Sequence, residues 1–186
     1  MSFLDQLSSE DRTLLASLPY RVGLYISQSD LSGGDDSDEA EMQALANMIT
    51  AYAQEVFGAE TAQYIISDTV ARKDEWPVWS ADLHTIEDDC RRAVYLLHGI
   101  VDPKELRAFK RCLIEVGESV ALAFCEYGDE TSVVEKIKIY IAYKQCRFKA
   151  AKMGIVAMEW DQFINISLDE REALRTIAYA LDMEYL

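Results

Sequence analysis

The chain has 186 residues and a formal net charge of −15, from 33 Asp plus Glu against 18 Lys plus Arg; half of it is hydrophobic, with 8 Gly and 3 Pro. That length fits one domain with a core of its own, while so apolar and turn-poor a composition disfavours a disordered chain, a β-sandwich and a collagen-like chain. A pI near 4.5 argues against nucleic acid and anionic lipid as partners, since both require a cationic surface.

Apolar residues recur at three- and four-residue spacing almost throughout, and strict alternation hardly occurs, so the fold class is all-α. A single bundle of eight or nine helices over 1–186 is predicted, with no internal domain boundary. Ser8 or Ser9 caps a first short helix, and Pro19 marks the first turn of a second that runs towards Ser29. After an acidic stretch at 30–38, helices are predicted at about 38–56 and 59–73, followed by a break at Trp76-Pro77-Val78-Trp79 that reads as a packed loop anchor. Ser80 opens a helix ending at Gly99. Asp102, Pro103 and Glu105 supply the N-cap, first-turn proline and N3 acid of the next, which runs to Gly128. A helical region reaches from Asp129 to about 160, and Ser167-Leu168-Asp169-Glu170 is a capping box for the last helix.

Acidity belongs to the first half: residues 1–100 hold 18 acids and 6 bases, residues 101–186 hold 15 and 12. Lys136, Lys138, Lys144, Arg147, Lys149 and Lys152 form a basic stretch that reads as a solvated helix exterior. Cys90, Cys112, Cys125 and Cys146 lie in apolar helical patterns without a C-x-x-C pair, which points to reduced core thiols. His84 and His98 lack a Glu three residues earlier, so a di-iron bundle is excluded and both read as structural. Serine-hydrolase, P-loop and dinucleotide fingerprints are absent, and no enzyme activity is expected. The start lacks a signal-peptide pattern and no apolar run approaches about 20 residues, so a cytoplasmic location without membrane insertion is expected.

One pattern occurs twice. Gly23 to Asp30 and Gly154 to Asp161 both set a glycine and an aspartate seven apart along one helix stripe. An acidic loop follows each, then Glu41 with Leu45 and Met48, or Glu170 with Leu174 and Ile177. A mid-helix glycine costs about 1 kcal/mol relative to alanine, which makes sense where a neighbouring helix must come close. Asp30 and Asp161 are expected at helix C-termini, where the macrodipole disfavours an anion by about 0.3–1 kcal/mol. A cation would relieve that cost and the crowding of Asp35, Asp36, Asp38, Glu39 and Glu41 behind Asp30. Asp30, Asp36, Asp38 and Glu41 therefore form a candidate metal site, with Asp161 and Glu170 a second; all-oxygen ligands favour Ca2+ or Mg2+. Spacing from Asp30 echoes a calcium loop, but Asp35 stands where that loop needs Gly. The competing reading is that these acids only cap helices and accept loop N–H groups.

These two units resemble the tellurite-resistance protein B (TerB-like) family, in which a Gly-x-x-x-x-x-x-Asp helix end, an acidic loop and an E-x-x-x-apolar-x-x-apolar helix occur twice. Leu31 and Gln162 stand where the family usually has glycine after the aspartate. The resemblance covers about a third of the chain and implies a helical bundle without catalysis. It further implies divalent-cation binding by the paired acids and docking of a protein partner in a tellurite or membrane-associated stress system. The rival readings are a metal-free interaction module and a metal-dependent hydrolase, which would need the acids of both units to meet in one cleft.

Overall fold

The structure is a computed structural model, which describes residues 6–29, 45–53, 59–123, 143–144, 147, 152 and 166–185. Among these residues there is no strand, and six α-helices have defined bounds. They are α1 (Ser9–Ser27), α2 (Glu60–Ala71), α3 (Trp76–Trp79), α4 (Ile86–His98), α5 (Pro103–Ala123) and α6 (Leu168–Ala180). Residues 45–53 are helical too, and 3₁₀ turns cover Lys73–Glu75 and Ser80–Thr85.

Six is fewer than the predicted eight or nine, and within the described residues two elements differ from their sequence signals. Pro19 does not open a second helix; it lies inside α1, a single helix of 19 residues capped by Ser8, whose Oγ accepts the Asp11 N–H at 3.1 Å. An interior proline costs about 3 kcal/mol because it removes a backbone donor and crowds the preceding turn. Tertiary burial offsets that cost, since every residue from Leu15 to Leu24 is buried. The Thr69 hydroxyl of α2 lies 2.7 Å from Ala16 O and 2.9 Å from Ile65 O, so its one proton can serve the proline-disturbed turn.

The second difference lies at 80–99. Asp82 adopts φ −128° and ψ 48°, so the chain from Ser80 to Thr85 is a distorted 3₁₀ segment and the α-helix begins only at Ile86. From there Ile86, Cys90, Ala93 and Leu97 make a buried stripe at helical spacing.

α1 is the hub, packing against α2, α4, α5 and α6. Gly23 lets it do so closely: a Cβ there would collide with Leu45 Cδ1 and lie 3.4 Å from Val120 of α5. The tryptophan segment is the short helix α3 rather than the predicted loop, but its two tryptophans pack as the expected anchor. Trp76 and Trp79 are buried, Trp76 stacks on Tyr20 with ring centroids 4.5 Å apart, and its Nε1–H donates to Thr69 O at 3.0 Å.

The caps predicted at Ser8 and Asp102 are in place, whereas Glu105 acts elsewhere than its signal put it. Asp102 Oδ1 accepts the Lys104 N–H at 2.7 Å, as an N-cap should. Glu105 serves a different helix from the one predicted: its Oε2 accepts the Thr61 N–H at 2.7 Å, at the start of α2, whose own N-cap is Ala59. Cys90 and Cys112 are free and buried, and burial pushes both thiols up to about 12. Cys125 and Cys146 lie outside the described residues. No helix among the described residues is long and apolar enough to cross a membrane.

Candidate functional site

Five of the six predicted metal ligands, Asp30, Asp36, Asp38, Glu41 and Asp161, lie outside the described residues. The sixth, Glu170, is in place and is buried at the start of α6. Its Oε2 accepts the Ser167 N–H at 2.8 Å while its own N–H donates to Ser167 Oγ at 3.1 Å, the reciprocal geometry of the predicted capping box. Among the described residues no group of three or more His, Cys, Asp or Glu is gathered to hold a metal ion. His84 and His98 are both exposed, and His84 Nδ1 lies 3.1 Å from Asp82 Oδ1.

What the structure brings together is a groove of about 680 Å³ between α1, the Ser80–Thr85 segment and α4. One wall comes from α1, where Ser9, Thr13, Ser17 and Arg21 recur every four residues and so follow one stripe of the helix. Val78 and Trp79 line the apolar side, and Asp82, Asp89 and Arg92 the opposite wall.

Arg21 ties these walls together. Its side chain is 7% exposed and pairs with Asp89 Oδ2 at 2.8 Å. It also donates to Asp82 O and, at 3.0 Å, to Thr85 Oγ1. Thr85 in turn donates to Asp89 Oδ2 at 2.7 Å. At the mouth, Arg92 bonds Glu10 at 3.0 Å and Asp11 at 2.7 Å. The Ser8 hydroxyl, and after it Arg92, hold the Asp11 carboxyl below its ordinary value; Glu10 and Asp11 hold Arg92 above its own.

A second clamp stands beside the first. Arg72 at the end of α2 grips Glu75 with two bonds of 2.8 and 2.6 Å, reaches Thr13 Oγ1 at 2.8 Å, and lies over the Trp79 ring, 5.4 Å from its centroid. Its bond to Glu75 raises the Arg72 pKa and lowers that of Glu75. Among the described residues that line the groove, both guanidinium groups, Arg21 and Arg92, are held by carboxylates of the chain. The arrangement is a cleft with a polar, charged lining whose walls are cross-linked by ion pairs and hydrogen bonds.

Sequence reasoning missed this site because its parts lie between positions 9 and 92. One signal was present: Arg21 in the apolar run Leu18-Pro19-Tyr20-Arg21-Val22, where a charge must find a buried partner. Comparison with protein-family models, with curated proteins and with solved structures finds no match to this chain.

Proposed function

We propose that this chain is a non-enzymatic helical docking module whose acidic segment behind α1 takes up a divalent cation. The observation that supports docking is the groove, whose walls are joined by the pair of buried Arg21 with partly buried Asp89 and whose charged groups are largely held by one another rather than poised for proton transfer. Quantitative affinity purification with the wild-type chain and a Val78→Arg variant, both verified as folded by melting, tests it. A protein recovered by the first and lost by the second is the expected result. Identical sets would remove the groove from the reading.

The cation belongs to Asp30, Asp36, Asp38 and Glu41. α1 ends at Ser27 with no basic residue in its last turn, so its electronegative end is followed directly by this acidic run. Ca2+ or Mg2+ is the expected ion, with Asp161 and Glu170 a weaker second set. Calorimetry with each ion should give heat for the wild type and none for a variant carrying asparagine or glutamine at the first four positions. No heat from either protein leaves the metal-free module. The likeness of the two units to tellurite-resistance protein B supports a partner in a tellurite or stress-response assembly, and it rests on the sequence units alone.

A further inference from the structure

We infer that the groove takes a lysine or arginine side chain presented by a basic segment of a partner protein, a proposal that rests on the docking reading and gives its partner a chemistry. The groove's lining carries three carboxylates, Glu10, Asp82 and Asp89, against two guanidinium groups, Arg21 and Arg92. Both cations are already engaged, Arg21 by Asp89 and Arg92 by Glu10 and Asp11. An anionic ligand would therefore meet a surplus of like charge and would have to displace an internal ion pair to find a donor. A cation meets the reverse.

Two of the carboxylates still face solvent, although each has a neighbour: the side chain of Asp82 is 62% exposed with His84 beside it, and that of Glu10 is 77% exposed while its Oε1 is bonded to Arg92. Next to them Val78, itself 72% exposed, offers an apolar surface for the methylene stem of a long basic side chain. Within the chain, the Arg72 guanidinium is held in the same way between a ring and a carboxylate, over Trp79 and on Glu75. A net charge of −15 would steer a basic segment towards this acidic surface.

The experiment is calorimetry of the full chain with a short peptide of lysines spaced among alanines, and with the same peptide carrying glutamine for lysine. The lysine peptide is expected to bind and the glutamine peptide not to. Glu10→Gln with Asp82→Asn should weaken binding about tenfold, since two partly exposed ion pairs at about 0.5–1 kcal/mol each amount to that factor. Asp74→Asn with Glu184→Gln makes the same change in charge at exposed positions outside the groove lining and should leave affinity within about twofold. Melting of each variant establishes that it is folded. Equal weakening by the two pairs would overturn the proposal in favour of diffuse attraction to an acidic protein, and so would absence of binding to the wild type. If the peptide fails while Val78→Arg still loses a recovered protein, the groove docks a partner of other chemistry, and the docking reading stands without this one.

Discussion

At Gly117 a methyl group would come within 2.8 Å of Leu174 Cδ2 and 3.2 Å of Ile26 Cγ1, side chains that are themselves fully buried. This glycine does for α5 what Gly23 does for α1: it removes the side chain where helix axes crowd. Overpacking of this kind costs about 1–3 kcal/mol, against at most about 1 kcal/mol returned by alanine's helix propensity. Gly117→Ala is therefore expected to lower stability by about 1–2 kcal/mol in urea melts, whereas Gly99→Ala, with nothing within 4 Å, should not lower it. At the very next residue after Gly117 a charge is disfavoured where it stands. Burial holds the Glu118 carboxyl above its ordinary value of 4.5, beside Tyr185, whose hydroxyl burial also shifts upward. The folded state thus binds the Glu118 proton more tightly than the unfolded chain does. Its favourable contribution is complete below the unfolded value and is lost as pH rises through the folded one. Glu118→Gln should accordingly be more stable than the wild type near neutral pH, with the advantage shrinking towards about pH 4; paired melts across that range measure the difference.

At the scale of elements, what decides a helix start is whether its signal is local. The Ser8 cap, the Asp102 cap and the Ser167–Glu170 box are written within four residues of sequence, and all three are in place. The start of α2 is not, because its cap is borrowed: the Glu105 carboxylate sits on the Thr61 N–H, 44 residues away in the chain. Glu105→Ala should cost about 1 kcal/mol, the usual worth of an N-cap. That corresponds to a fall of about 2–4 °C in Tm for a chain of this size, and Glu105→Gln, which keeps an acceptor oxygen, should recover part of it. The same distinction explains the misread helices. Pro19 carries a strong local signal for a boundary, and burial from Leu15 to Leu24 overrides it. Ser80 looks like a cap, but the Arg21 guanidinium binds Asp82 O and Thr85 Oγ1 and holds that segment outside the α-helix until Ile86. The all-α class was legible because hydrophobic period is a property of each segment alone. The groove was not, since it exists only where three separated segments meet.

Over the whole molecule, α1 is the element every other long helix with defined bounds touches, and Arg21 is where its polar stripe enters the core. An ion pair there is an unusual way to join helices, because desolvation of both charges offsets much of their attraction. Its worth is therefore mostly negative in sense: neither partner can be removed without leaving the other, Arg21 buried or Asp89 partly buried, without its counter-charge. Arg21→Met should cost about 3 kcal/mol, since it strips Asp89 of its cation and Asp82 O and Thr85 of a donor. Asp89→Leu alone should cost a similar amount by stranding a guanidinium that is 7% exposed. The double variant is the informative one. Because the penalty is chiefly that of an unmatched charge, removing both should cost less than the two single changes added together, by about 1–3 kcal/mol, in a denaturant double-mutant cycle. Strict additivity would mean that the two side chains stabilise their helices independently, and that the groove walls are joined by apolar packing rather than by this pair. Peptide affinity measured on the same double variant then separates rigidity from charge. Its net charge is unchanged, so weaker binding at equal ionic strength would be traced to walls no longer held at a fixed distance.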